Sequence, residues 1–80
     1  MAFENIILPP AILAASQRLL AAIEQAATPN HTVKASAMAQ GFVLGLETAR
    51  TLEAARIETL HILFDDATEK RLRDMAQAGK

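Results

Sequence analysis

Apolar residues recur at helical spacing along most of this chain. From Ala11 to about Ala27, Ile12, Leu19, Ile23 and Ala26 form one stripe, widened by Leu13, Leu20 and Ala27. Gln17, Arg18, Glu24 and Gln25 supply the wet side, so the spacing predicts an amphipathic helix over 11–27. Pro9-Pro10 stand just ahead of it, where proline's missing N–H would go unpaired in any helix and its fixed φ suits the first turn. Residues 1–10 are expected to be extended, and Phe3–Leu8 is the one place that tolerates a short strand. Thr28-Pro29-Asn30-His31-Thr32 is the strongest turn signal: Pro29 pushes Thr28 out of helical geometry, and Asn30 or Thr32 can cap the next helix.

A second helix is expected over 33–64, about 30 residues or roughly 45 Å, because no Gly-Pro or Asn-Gly break falls before Asp65-Asp66. Stepping ~100° per residue from Phe42 puts Ala35, Met38, Ala39, Gly45, Leu46, Ala49, Ile57, Leu60, Leu63 and Phe64 on one face. Gln40, Glu47, Thr51 and Glu58 fall on the opposite one. Asp66-Ala67-Thr68-Glu69 resembles an N-cap with a carboxylate three residues on, which predicts a third helix over 66–77 with Leu72, Met75 and Ala76 inward. The alternative is a helix that runs straight through, since neither Gly nor Pro forces a stop.

These elements predict an all-α fold: one small domain over 1–80, with two main helices in an antiparallel hairpin and a short C-terminal helix. A first helix of ~17 residues covers only about half of a second helix of ~30. The remaining stripe of Ile57, Leu60, Leu63 and Phe64 then needs a cover. The third helix and Phe3–Leu8 could fold back over it, but a second copy of the chain would bury more, so a homodimer is expected. Phe42, Gly45, Leu46, Ala49, Glu53, Arg56 and Leu63 are the residues expected to form or register that dimer.

Composition sharpens this picture. Seventeen of the 80 residues are alanine, there is no Cys, Trp or Tyr, and only three are Phe. Alanine loses no side-chain entropy in a helix and lets helices approach closely. A chain of this size buries only about 60% of its unfolded surface, and without cysteine it has neither disulfide staple nor thiolate metal cage. Net charge is −1, which argues against binding nucleic acid through bulk electrostatics. Met1-Ala2-Phe3-Glu4-Asn5 carries no basic segment of the kind that opens a secretory leader, and no apolar run approaches the ~20 residues that span a bilayer. A cytoplasmic protein without membrane contact is expected.

Few residues suggest chemistry. Glu53 and Arg56 interrupt the apolar stripe at a spacing that allows an ion pair, and would form a polar layer that sets dimer register. The arrangement favoured over it is a kink near Arg50 that turns both to water. Gly41 and Gly45, with Ala37 and Ala49 nearby, predict a close helix crossing within or between chains. His61 shares a helix side with Glu58 and Asp65, but these ligands are few and open to water, so a solvated cluster is expected and no metal. Ser16 and Ser36 are the only serines, and there is no phosphate-cradling or dinucleotide loop, so neither an enzyme nor a cofactor is expected. Lys70, Arg71 and Arg73 form the one basic cluster, interleaved with Glu69 and Asp74.

A β-tolerant segment ending in Leu8-Pro9-Pro10, then a helix, a polar turn and a second helix, resembles the ribbon-helix-helix DNA-binding family over about residues 3–48. That resemblance implies a dimeric transcriptional regulator reading DNA through the strand. In that family the strand presents polar and basic side chains, whereas here the alternating sets are Phe3, Asn5, Ile7 and Glu4, Ile6, Leu8, with no cation. The function expected first is therefore non-enzymatic binding and modulation of another, unidentified protein, as inhibitor, adaptor or regulator of a bacterial or phage accessory type. Its contact surface is expected at Ile57, Leu60 and Phe64, rimmed by Lys70, Arg71 and Arg73.

Overall fold

The computed structural model describes residue 3 and residues 6–78 of the chain. It is all-helical: α1 spans Pro10–Glu24, α2 Pro29–Thr48 and α3 Ala54–Ala78. No strand occurs among the described residues. Phe3 lies in a turn and residues 6–9 are irregular, with the Ile6 amide donating to the Phe3 carbonyl at 3.4 Å. Met1, Ala2, Glu4 and Asn5, part of the expected extended segment, lie outside the described residues. The strand that the ribbon-helix-helix resemblance requires is thus missing among the described residues.

α1 starts at Pro10, as the proline signal suggests, but ends at Glu24 rather than Ala27. α2 begins at Pro29, not Val33, because Thr28 is the cap and Pro29 takes the first helical position. Thr28 is extended, at φ −136° and ψ 159°, and its Oγ1 accepts the His31 amide at 3.1 Å. Thr32 sits one turn in, fully buried, and donates its hydroxyl to the Thr28 carbonyl at 2.8 Å.

The largest correction concerns the expected 33–64 helix, which is broken at residues 49–53. The Thr51 amide donates to the Leu46 carbonyl at 3.0 Å and the Arg50 amide to Glu47 at 3.1 Å. This crossed pair is the Schellman arrangement, which ends a helix by placing the next residue in the left-handed region. Arg50 occupies that position at φ 54°. Glycine usually fills it because a Cβ there crowds the following carbonyl, so no glycine in the sequence announces the stop. Arg50→Gly is accordingly expected to stabilise the fold by about 1 kcal/mol, read as a rise in the urea midpoint at unchanged slope. An unchanged or lower midpoint would mean that Arg50 is not strained.

Beyond the break, α3 runs uninterrupted through Asp65-Asp66, both exposed. Thr68, expected within a cap, donates instead to the Phe64 carbonyl at 2.8 Å inside the helix. At 25 residues α3 is the longest element, roughly 38 Å, and matches the 43 Å long axis of the molecule. It folds back antiparallel to α2, with Gln40 meeting Asp65 and Thr32 meeting Met75, and its C-terminal half reaches α1. There the Arg71 Nε and Nη2 both donate to the Ala26 carbonyl, at 2.9 and 2.7 Å, closing a chain end just past α1 that carries no glycine cap.

Leu8, Leu20, Ile23, Ala39, Val43, Leu46, Ile57, Leu60 and Phe64 form the core, with Phe3, Ile6 and Ile12 packed against it. Ile57, Leu60 and Phe64 are 5%, 0% and 0% exposed within this single chain. The length mismatch that called for a second copy therefore disappears, since α1, α2 and the N-terminal segment already cover that stripe. Ser16 also lies fully buried on the α1 stripe, and its hydroxyl has no hydrogen-bond partner among the described residues.

The inward face of α2 is rotated from the one expected. Ala35 and Phe42 are half-buried and Thr32, Ala39, Val43 and Leu46 buried, but Met38, Gly45 and Ala49 are exposed. A face fitted across residues 35–64 averages two helices that share no axis, and that displaced its centre.

Candidate functional site

The break between α2 and α3 shapes an open groove of about 490 Å³. The last turn of α2 supplies Glu47, and the left-handed turn brings in Arg50. Leu52 comes from the connecting loop, and Ala54, Ile57, Glu58, His61 and Ile62 from one face of the first turns of α3. Their spacing of three and four residues is what aligns them on that face. Leu52, Ile57 and Ile62 make an apolar floor, and Glu47, Arg50, Glu58 and His61 a charged and polar rim. Among the described residues neither Glu47, Arg50 nor Glu58 is in an ion pair, since the one such pair is Lys70–Asp74.

His61 is held from outside the groove. Gln40, expected on the wet side, is half-buried and crosses from α2 to α3. Its Nε2 donates to Asp65 Oδ1 at 2.7 Å, and its Oε1 is hydrogen-bonded with His61 Nδ1. The carboxylate can only accept, so the amide must turn its nitrogen to Asp65 and its oxygen to the imidazole. His61 Nδ1 therefore carries the proton, and in the neutral ring Nε2 is the remaining acceptor. The expected Glu58–His61–Asp65 cluster is thus divided, with His61 and Asp65 joined through Gln40 and Glu58 on the groove rim. Among the described residues no three His, Asp or Glu side chains stand close enough together to hold a metal ion. The groove contains acid–base side chains but no serine, threonine or cysteine.

A wider depression of about 650 Å³ lies at the other end, against Pro29, Leu72 and Met75. Its polar groups are already used: Arg71 binds the Ala26 carbonyl, and Asp74 accepts from Lys70 Nζ at 2.7 Å. It also borders Ala78, the last described residue. The Lys70 hydrogen bond holds the Asp74 carboxyl below its ordinary range. That pair helps only where Asp74 is ionised, so its contribution is present above the usual carboxylate range and lost as pH falls through the lowered value. Exposure to solvent keeps it small.

Of the expected partner surface, only Ile57 reaches the groove. Leu60 and Phe64 are fully buried, Arg71 is engaged internally, and Lys70 and Arg73 are exposed on α3. Of the expected dimer set, Leu46 is in the core and Phe42 and Leu63 pack against it. Gly45 and Ala49 are exposed, Glu53 is exposed in the connection, and Arg56 is half-buried, with no ion pair between those last two. Sequence reasoning missed Arg50, Leu52 and Ile62, which converge only because of the break. It also missed the outward face of α2, where Val33, Met38 and Leu44 are 57%, 60% and 58% exposed. A wheel confined to α2 would have set all three away from Val43, Met38 at about 140° and Val33 and Leu44 at about 80–100° on the other flank.

No helix of the described residues is long and apolar enough to cross a membrane. No protein-family model, curated protein or solved structure matches the chain.

Proposed function

We propose that this chain is a small non-enzymatic interaction protein that binds another protein and modulates it, with the α2–α3 groove as its contact surface. The observation that carries this reading is the groove itself, an open apolar floor ringed by charges that form no ion pair among the described residues. Apolar anchors surrounded by a polar, Arg-bearing rim are the usual anatomy of a protein interface. Ile62 is 52% exposed on that floor, so solvent reaches a large side chain that the chain does not need for its own core. Arg50 and the two glutamates would steer the approach of a partner carrying both charge signs, while Leu52, Ile57 and Ile62 would hold it.

Three tagged forms, incubated in an extract of the protein's own cells, test this. Wild type is expected to retain a partner, and Ile62→Glu to weaken retention about tenfold, the cost of ~1.4 kcal/mol at one anchor. Arg50→Gly is expected to slow association a few-fold while raising fold stability, so its loss of binding cannot be ascribed to unfolding. A partner retained equally by all three forms would overturn the reading, as would an extract that yields no partner of the wild type.

A further inference from the structure

We infer that the α2–α3 groove takes an arginine side chain of the partner protein, its guanidinium held between Glu47 and Glu58 and against His61. This rests on the reading of the groove as a contact surface and adds what that surface selects. Gln40 Nε2 donates to Asp65 Oδ1, which fixes one level at which α2 and α3 face each other. Seven residues make about two turns and return to the same side of a helix, ~10 Å further along. Because the helices are antiparallel, seven residues forward on α2 meet seven residues back on α3. That next level sets Glu47 opposite Glu58, and both line the groove. Where the first level joins an amide to a carboxylate, the second brings two carboxylates face to face.

Neither glutamate is neutralised. Among the described residues the one ion pair is Lys70–Asp74, so Arg50, the groove's own arginine, is paired with neither of them. His61 adds a third acceptor. Gln40 holds the Nδ1 edge of the ring and does not itself line the groove, so Nε2 is the nitrogen left to it. Two carboxylates and a ring nitrogen, all acceptors, thus border the floor of Leu52, Ile57 and Ile62. Such a set calls for a donor.

The spread of these acceptors selects among donors. They stand too far apart to close on a single metal ion. A lysine ammonium is likewise compact, a point charge on a flexible stem. A guanidinium is a planar fork with five N–H donors, which can address two carboxylates and a ring nitrogen from different edges. Its aliphatic stem would lie along the apolar floor, as arginine stems do. Both glutamates are exposed, so solvent and salt screen each contact. The site is therefore expected to give selectivity more than strength.

Titrating the full chain with acetyl-Leu-Arg-Leu-amide, followed by NMR, tests this. A Kd on the order of 1 mM is expected, with resonances of Leu52, Ile57, Glu58, His61 and Ile62 shifting. The His61 Nε2 nitrogen should move upfield as it accepts a hydrogen bond. The citrulline counterpart, equal in shape but uncharged, should bind about tenfold more weakly, and the lysine counterpart several-fold. Arginine amide alone, which offers the floor no leucine, should bind more weakly than the tripeptide. Glu47→Gln and Glu58→Gln, both at exposed positions, should each weaken binding several-fold with unchanged circular dichroism. Glu69→Gln removes the same charge ~16 Å along α3 from Glu58 and should change nothing. Equal affinity for the citrulline peptide would overturn the inference and leave the groove standing as a contact surface. Glutamate variants that bind like the wild type would overturn it too, as would an arginine peptide that shifts no groove residue. Retention of a partner from the extract decides the groove reading separately.

Discussion

Leu60→Asp should leave this chain unfolded at 25 °C. A domain of 80 residues is held by about 4–12 kcal/mol in total. Removing a buried leucine costs ~2–5 kcal/mol through lost transfer energy and the space left behind. The introduced carboxylate must shed its water without a partner, or take up a proton, which adds several kcal/mol more. Leu60 is wholly enclosed in the apolar core. Far-UV circular dichroism should lose most of its helical signal, and the urea transition should vanish. Glu47→Asp, on the exposed last turn of α2, should shift the midpoint by no more than about 0.5 kcal/mol. A cooperative Leu60→Asp transition at the wild-type midpoint would remove Leu60 from the core.

Arg71→Glu ranks next. Both donors of that guanidinium converge on the Ala26 carbonyl, and each is a charge-assisted bond. Losing them and facing the carbonyl with a carboxylate should cost about 3 kcal/mol. For a domain of this size that lowers the melting temperature by roughly 12–24 °C. Arg73→Glu, two residues on and exposed, should move it by only a few degrees. The two cations look alike in the sequence and are expected to differ fivefold or more in their effect. Equal melting temperatures for the two variants would mean that Arg71 does not close the end of α1.

That contrast marks what the sequence could reveal. Helical periodicity identifies the helical class and the α1 stripe of Leu20 and Ile23, because an amphipathic face is a local property. It places Ile57, Leu60 and Phe64 on one face for the same reason. The stop at Arg50 is announced by no glycine or proline, since arginine is an ordinary helix former, and only the interruption of the apolar stripe at Glu53 and Arg56 suggests a kink there. What depends on that stop went unread: the length of α2, the rotation of its buried face, the groove, and the absence of an uncovered stripe. His61 and Glu58 could be paired by spacing alone. Gln40 could not, because its partners lie 21 and 25 residues away on another helix.

Gln40 has a further consequence, for the arrangements the chain does not adopt. Helices surfaced largely with alanine and leucine slide past one another with little change in apolar contact, so several alignments of α2 on α3 would be nearly equal in energy. A shift of one turn, ~5.4 Å, would carry the amide away from both His61 and Asp65. Three half-made polar groups would then compete for whatever water reaches them. The trio thus contributes less to the depth of the native state than to the height of its nearest rivals, and it is this gap that leaves an alanine-rich bundle with a single alignment.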